Sequence, residues 1–189
     1  QAYEGHCITV RDPEERRRQV IASMRLAVET RRLLEASGLP VQILSGGGTG
    51  TYDMTGALEG VDEVQAGSYA LMDHYYAKRR PEFAVALSVL TTVISSNGSD
   101  HAVLDVGVKG VGAEFGVPVL SDRPDAVIPR FESEEHASVK VGGPPLEVGD
   151  RVRLVPSHVC TTCNLHRRIF AVRGGTVEDV WAIEGSGCL

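Results

Sequence analysis

The pattern of apolar residues changes near residue 83, and this change limits the folds that the chain can adopt. Before it, short apolar runs alternate with helical segments in the order strand, helix, strand, helix, strand, which is typical of a parallel α/β architecture. The long helix has strong end signals: Asp12, Pro13 and Glu15 mark its start, and Gly38 and Pro40 stop it. The first part of the chain is therefore predicted to be α/β.

From residue 83 onward, β-branched runs such as "FAVALSVLTTVISS", "ASVKVG" and "DRVRLVPSHVC" are separated by glycine, proline and aspartate. No helical period is evident there, so we predict a β domain, either a barrel or a sandwich, over residues 83–189. Residues 1–82 offer only about three strands, whereas a β/α barrel needs eight. The chain also opens without a methionine, on what reads as a strand already under way. We therefore expect another polypeptide segment to complete the first domain.

The composition excludes several classes of partner. The formal net charge is −6 and no basic stripe with interleaved aromatic residues is present, so nucleic acid is not an expected partner. No apolar run reaches the ~20 residues that span a bilayer, and the start of the chain lacks a secretory signal pattern. We predict a cytoplasmic protein with no membrane partner. The cysteine spacing is not that of a disulfide-rich scaffold, which favours free thiols or metal ligands at Cys7, Cys160, Cys163 and Cys188.

A glycine cluster, "ILSGGGTGTYD" over residues 43–53, follows one predicted strand. It contains no lysine for a P-loop, and Thr51 stands where a dinucleotide loop has its third glycine. What remains is a turn whose backbone N–H groups, with the hydroxyls of Thr49 and Thr51, can bind an anion. A second strand end nearby carries Gly67, Ser68 and Tyr69. We predict that both turns bind one phosphate; the alternative is an ordinary flexible turn.

The segment "PSHVCTTCNLH", residues 156–166, is a candidate metal site. On an extended strand, His158 and Cys160 share a face and present nitrogen and sulfur donors that suit zinc, with positions left open for substrate or water. Cys163 would then point to the opposite face, although Cys163 and His166 extend the possible ligand sets. A redox C-x-x-C pair belongs at a helix N-terminus, which is not predicted here. The other possibility is that these are ordinary strand and loop residues.

Taken together, the motifs carry a resemblance to a known family. In order, they are "GGGTGTYD", "QAGSYALMD", "LDVGVKG" and "PSHVCTTCNL". The chain resembles the D-threonine aldolases and eukaryotic-type D-serine dehydratases, which are relatives of alanine racemase. The resemblance covers nearly the whole chain. It implies the C-terminal part of a pyridoxal-phosphate β/α (TIM-type) barrel over residues 1–82, followed by a β domain with the metal motif over residues 83–189.

The resemblance also implies site residues and cofactors. The cofactors would be pyridoxal 5'-phosphate and a divalent metal, Zn²⁺ or alternatively Mn²⁺. The metal would be bound by His158 and Cys160. The phosphate of the cofactor would be held by Thr49, Gly67 and Ser68. The rest of the cofactor site would include Tyr76 and Tyr3. A homodimer is implied as well.

One departure from the family concerns the Schiff-base lysine. In the family it lies early in the barrel, before anything that matches this chain, and Lys78, Lys109 and Lys140 fall at no matching position. The catalytic lysine is thus expected outside these residues, and the chain alone is expected to be inactive.

The resemblance leaves the reaction open within one class. It implies a lyase acting on β-hydroxy-D-amino acids. A cysteine at the second metal position favours the dehydratase type, acting on D-serine or 3-hydroxyaspartate. Retro-aldol cleavage of the D-threonine aldolase type is the alternative, and a non-catalytic fragment that binds pyridoxal phosphate or zinc is another.

Overall fold

A computed structural model describes residues 1–187, so Cys188 lies outside the described residues. The chain divides into two compact units. The first unit contains Gln1–Ala70 and Arg79–Pro81, and the second contains Leu71–Lys78 and the chain from Glu82 onward. The domain boundary at residue 82 stays a prediction, and the contacts group residues 71–78 with the later residues.

The first unit is built on helix α1, Pro13–Ala36. The carboxylate of Asp12 accepts a hydrogen bond from the Glu15 N–H at 2.7 Å, which confirms the predicted cap. Gly38 follows the helix with a positive φ of 79°, as expected for the end of a helix. Three apolar side chains at helical spacing, Val20, Met24 and Val28, are buried.

Parallel pairing forms a small sheet in this unit. Strand β1, Ser45–Gly46, pairs in parallel with β2, Glu63–Val64, and Ala2 forms a parallel bridge to Gly46. The connection between the two strands contains the short helix α2, Tyr52–Thr55.

The predicted opening strand is wrong beyond Ala2. Gly5–Thr9 forms a 3-10 helix, in which the neighbouring residues Cys7 and Ile8 are both buried. A strand would turn these two side chains to opposite faces, so the helical turn buries more apolar surface. A second 3-10 turn covers Ser68–Ala70.

The second unit contains a six-stranded antiparallel sheet in the order β5-β8-β3-β4-β7-β6. Its strands are β3 Val89–Ser96, β4 His101–Leu104, β5 Val119–Leu120, β6 Ala126–Val127, β7 Ala137–Val141 and β8 Arg151–Val155. A separate antiparallel hairpin consists of β9 Arg168–Arg173 and β10 Thr176–Ala182. Two short helices complete the unit, α3 His74–Ala77 and α4 Val159–Leu165.

Alternating side chains explain the sheet. In β7, Ala137, Val139 and Val141 are buried, whereas the residues between them are exposed. The buried residues join Leu104, Leu154 and others in one apolar core. Within residues 1–187, no helix is both long and apolar enough to cross a membrane.

The strand predicted through "PSHVC" ends earlier than expected. β8 stops at Val155, Pro156 follows, and the chain then enters helix α4. Proline has no N–H for a strand ladder, so the strand ends there. His158 and Cys160 therefore do not lie on one face of a strand, because His158 is the residue before the helix and Cys160 is inside it.

Candidate functional site

The glycine cluster forms a closed turn directly after β1. The Gly48 N–H donates to the Thr51 hydroxyl at 3.2 Å, and the Thr51 N–H donates to the Gly48 carbonyl at 3.0 Å. Gly47 has a φ of 69°, a conformation that glycine adopts without strain. The turn is therefore held by its own hydrogen bonds, and the Thr51 hydroxyl accepts one of them.

Arg80 supports this turn, and sequence reasoning missed it. Its buried guanidinium donates to the Gly50 carbonyl from Nε at 3.1 Å and from Nη2 at 2.8 Å. It also forms an ion pair with Asp53 and lies 5.0 Å from the centre of the Tyr52 ring. No sequence motif marks an arginine 30 residues away as the support of a loop.

The second predicted turn lies against the first. The Thr49 hydroxyl oxygen accepts a hydrogen bond from the Tyr69 N–H at 3.0 Å. A hydroxyl that accepts one bond still has its own O–H to donate. At Gly67, a side chain would meet nothing within 4 Å, so this turn is open on that side. The structure thus brings Thr49 together with the turn that contains Gly67 and Ser68; the ligand they bind stays a prediction.

Tyr3 also belongs to this part of the first unit. A Cβ atom added at Gly48 would lie 3.1 Å from Tyr3 Cε2, so the ring lies directly over the glycine turn. The ring is 61% exposed and is not fixed by burial. A small residue at position 48 is therefore what allows the aromatic ring to approach the backbone.

The predicted metal ligand His158 lies in the second unit, next to a buried carboxylate. Asp73 is fully buried, and its Oδ2 atom lies 3.5 Å from His158 Nδ1. The same carboxylate accepts from the Tyr76 N–H at 2.8 Å and from the Val159 N–H at 3.0 Å. Asp73 therefore connects the starts of α3 and α4 with the imidazole ring.

Aromatic side chains enclose the His158 ring. The Tyr76 ring is stacked with it at 6.2 Å between centroids, and the Phe115 ring meets it edge-on at 4.9 Å. Tyr75 in turn stacks on Phe115 at 4.5 Å. Tyr76, which was predicted at the cofactor site, is thus placed beside the predicted metal ligand.

The charges around His158 favour its protonated form. The Asp73 carboxylate, followed by the Cys160 thiol, raises the pKa of His158 to about 10. A metal ion must therefore displace a proton from this ring, as is usual for histidine ligands. Burial, followed by the charge of Cys160, raises the pKa of Cys163.

Helix α4 changes the relation between the cysteines. Cys160 and Cys163 are three residues apart on a helix and so project to neighbouring positions, not to the opposite faces expected of a strand. Cys160 is exposed and Cys163 is partly buried. Among residues 1–187, no three His, Cys, Asp or Glu side chains are grouped so that they could hold a metal ion.

Comparison with known proteins identifies the family. Residues 86–172 match the family model described as "Putative serine dehydratase domain". The chain is 38% identical to a D-threonine aldolase from Arthrobacter sp over 193 residues, which cover 99% of this chain and 51% of the aldolase. The chain belongs to the D-threonine aldolase and D-serine dehydratase family. It spans about half the length of the curated relatives it matches.

Solved structures of the family have the same fold. The D-threonine aldolase from Filomicrobium marinum matches with a TM-score of 0.91 at 34% identity, over 100% of this chain and 53% of the aldolase. The D-threo-3-hydroxyaspartate dehydratase from Delftia sp. HT23 matches with a TM-score of 0.79 at 25% identity, over 95% of this chain and 54% of the dehydratase. The predicted fold class is confirmed: the C-terminal part of an alanine-racemase-like β/α barrel followed by a β domain.

Proposed function

We propose that this chain is part of a lyase that acts on β-hydroxy-D-amino acids with pyridoxal phosphate and a divalent metal ion. The observation that carries the proposal is the 38% identity to a D-threonine aldolase, which extends over 99% of the chain. Both predicted sites lie within the aligned region. Membership of a lyase family is established, whereas the cofactors and the substrate are proposals.

The glycine turn fits the phosphate of pyridoxal phosphate. Thr49 has an O–H to donate, and the Gly67 turn beside it leaves open space. Turns that follow neighbouring strands of a β/α barrel are a common phosphate site. We propose that Thr49, Gly67 and Ser68 bind the phosphate, while Arg80 holds the turn in shape through the Gly50 carbonyl.

The donors near α4 fit a divalent metal. Imidazole nitrogen and thiolate sulfur suit Zn²⁺ better than Mg²⁺ or Ca²⁺, which prefer oxygen. We propose that His158 and Cys160 bind Zn²⁺, with Mn²⁺ as the alternative, and that the remaining positions stay open for substrate. Cys160 is exposed, so a metal ion can reach it.

When bound, pyridoxal phosphate supplies an electron sink and a metal ion supplies a Lewis acid for the substrate hydroxyl. The residues of this chain bind and orient these groups. Tyr3 lies over the glycine turn, and Tyr76 and Phe115 enclose the His158 ring. The Schiff-base lysine would come from a segment outside these 189 residues, because Lys78, Lys109 and Lys140 match no family position.

Two reactions of this class have separate support. Retro-aldol cleavage is favoured by the higher identity to D-threonine aldolases than to dehydratases, 38% against 30% between sequences and 34% against 25% between structures. Dehydration of D-serine or 3-hydroxyaspartate is favoured by the sulfur donor of Cys160. A D-threo-3-hydroxyaspartate dehydratase has also been solved as a C353A mutant that is described as the metal-free form.

The products separate the two reactions. D-threonine cleavage yields glycine and acetaldehyde, whereas D-serine dehydration yields pyruvate and ammonia. The chain should be assayed alone and together with any coding sequence in frame before Gln1, with His158→Ala as the inactive control. We expect turnover only with the added segment. Turnover of neither substrate class by the extended protein, with metal and cofactor supplied, would refute the proposed function.

A separate measurement tests the position of the lysine. The chain alone is incubated with pyridoxal phosphate and then with borohydride, which fixes a Schiff base as a stable secondary amine. We expect no modified lysine in its peptides. Specific modification of Lys78, Lys109 or Lys140 would show that the chain supplies its own lysine.

A further inference from the structure

Asp73 is the buried charged group of the second unit that neither predicted site uses. It is 0% exposed and lies three residues after the 3-10 turn Ser68–Ala70, directly before α3. Its Oδ1 atom accepts from the Tyr76 N–H, and its Oδ2 atom accepts from the Val159 N–H. Each carboxylate oxygen therefore has a fixed backbone donor.

These contacts fix the direction in which the carboxylate faces His158. A buried carboxylate is costly unless hydrogen bonds and an opposite charge compensate it. The two N–H groups supply the hydrogen bonds, and the Nδ1 atom of the His158 ring lies 3.5 Å from Oδ2. The buried His158 Nδ1 atom has no hydrogen-bond partner in the described structure, and the Asp73 Oδ2 atom is a charged acceptor within reach of a proton on it.

The ring has little freedom to turn. Tyr76 and Phe115 lie against it, and the backbone carbonyl of His158 accepts from the Thr162 hydroxyl at 2.8 Å. Backbone and ring walls thus restrict the position of the imidazole. What they do not select is which nitrogen carries the proton, and that selection requires a polar neighbour.

We propose that Asp73 is a positioning residue for the metal ligand His158, holding the proton on Nδ1 so that Nε2 is the donor to the metal. This inference rests on the proposed metal site. Metal-bound histidines are commonly oriented by a carboxylate in this way, and loss of such a carboxylate typically weakens metal binding 10- to 100-fold. Asp73 itself does not touch the metal.

The test uses Co²⁺ as a spectroscopic substitute for Zn²⁺, titrated into the 189-residue chain and followed by the thiolate-to-cobalt absorption band. Four proteins are compared: the unsubstituted chain, Asp73→Asn, His158→Ala and Thr162→Val. Thr162→Val is the matched control, because it removes hydrogen bonds to the His158 carbonyl and from the Gly112 N–H without changing what faces the ring. Thermal unfolding is recorded for each variant.

We expect Asp73→Asn to bind Co²⁺ at least about tenfold more weakly. Thr162→Val should lose stability but keep its affinity. Equal affinities of Asp73→Asn and the unsubstituted chain, or an equal loss in Thr162→Val, would overturn the positioning role. If His158→Ala bound Co²⁺ normally, or the unsubstituted chain bound none, the proposed metal site would itself be refuted, and this inference with it.

A second measurement does not depend on the Asp73→Asn variant folding. Long-range ¹H–¹⁵N correlation spectra of the Zn²⁺-loaded, unsubstituted chain report which imidazole nitrogen carries the proton, and the His158→Ala spectrum assigns the signals. We expect a protonated Nδ1. A proton on Nε2, with Nδ1 as the metal donor, would overturn the proposal.

Discussion

The three consecutive glycines after β1 should respond very differently to the same substitution. Replacing Gly46, Gly47 or Gly48 by alanine adds one methyl group at adjacent positions. The structure gives each methyl group a different neighbour, so the loss of stability should follow those neighbours rather than the type of residue.

Gly46→Ala is the most severe change. Its Cβ atom would lie 2.4 Å from the carbonyl oxygen of Ala2 and 2.8 Å from Met24 Cε. To remove this steric clash, the backbone that forms the Ala2 bridge must move. That movement would break the hydrogen bond from the Ala2 N–H to the Ser45 carbonyl. Overpacking costs about 1–3 kcal/mol and a lost hydrogen bond about 1 kcal/mol, which gives a destabilisation of about 2–4 kcal/mol.

The other two changes are milder. At Gly47 the φ of 69° costs an alanine about 1–2 kcal/mol, and the methyl group would lie 3.0 Å from Thr55 Cβ. At Gly48 the three nearest atoms to the methyl group would all belong to the Tyr3 ring, which is 61% exposed and can move. Gly48 itself is buried, but the exposed ring can move away from the methyl group, so we expect a loss of less than about 0.5 kcal/mol at this position.

Urea unfolding measures this series, followed by helical circular dichroism, because the 24-residue α1 dominates the helical signal and belongs to the same unit. The expected order of destabilisation is Gly46→Ala, then Gly47→Ala, then Gly48→Ala. A Gly48→Ala variant as unstable as Gly46→Ala would refute the reasoning. So would a Gly46→Ala variant with the stability of the unsubstituted chain.

Two further predictions concern the second unit and the cysteines. The pKa of Asp105 is lowered: burial alone would raise it, but hydrogen bonds from the Thr91 hydroxyl and from the backbone outweigh burial. The ionised Asp105 carboxylate therefore stabilises the fold above about pH 4, and this stabilisation is lost as the pH falls through the folded-state pKa. Thr91→Val should therefore raise the pH at which acid unfolding begins and remove about 0.5–1 kcal/mol at neutral pH; identical acid-unfolding curves would contradict this. In alkylation by iodoacetamide read by peptide mass spectrometry, exposed Cys160 should react first, because burial raises the pKa of Cys163 and of Cys7; equal rates at Cys160 and Cys163 would count against it.

Local signals were sufficient where local contacts decide the structure. The start of α1 was predictable because its cap, Asp12 to Glu15, lies within one turn. The strand β7 was predictable because alternation alone separates its buried and exposed faces. The sequence also predicts, from small residues at two strand ends, that the two turns lie together, and the structure does bring Thr49 against Tyr69; phosphate binding by these turns stays a prediction.

Distant partners explain what the sequence did not show. Helix α4 has the β-branched composition of a strand, yet its Val159 N–H is bound by Asp73, 86 residues earlier. The Thr162 hydroxyl, which bonds to the His158 carbonyl, further stabilises the helical turn. Arg80 was missed for the same reason, because its partner Gly50 belongs to a loop 30 residues away. Tertiary contacts of this kind override local propensity and leave no motif.

The last prediction tests the phosphate site through Thr49. We expect Thr49→Val to weaken binding of pyridoxal phosphate about tenfold. A hydrogen bond to a charged group contributes about 1.5–3 kcal/mol, and the lower end applies because Thr49 is buried but the Gly67 side of the site is open.

Thr49→Ser keeps the hydroxyl and should bind normally, and the surface substitution Thr30→Val is the matched control for the same change. Equilibrium dialysis with pyridoxal phosphate, and with pyridoxal as the ligand without phosphate, separates the phosphate contact from ring binding. Because Thr49 also accepts from the Tyr69 N–H, the thermal stability of each variant is recorded beside its affinity. A Thr49→Val variant that binds pyridoxal phosphate normally, or that loses pyridoxal equally, would show that this hydroxyl does not bind the phosphate.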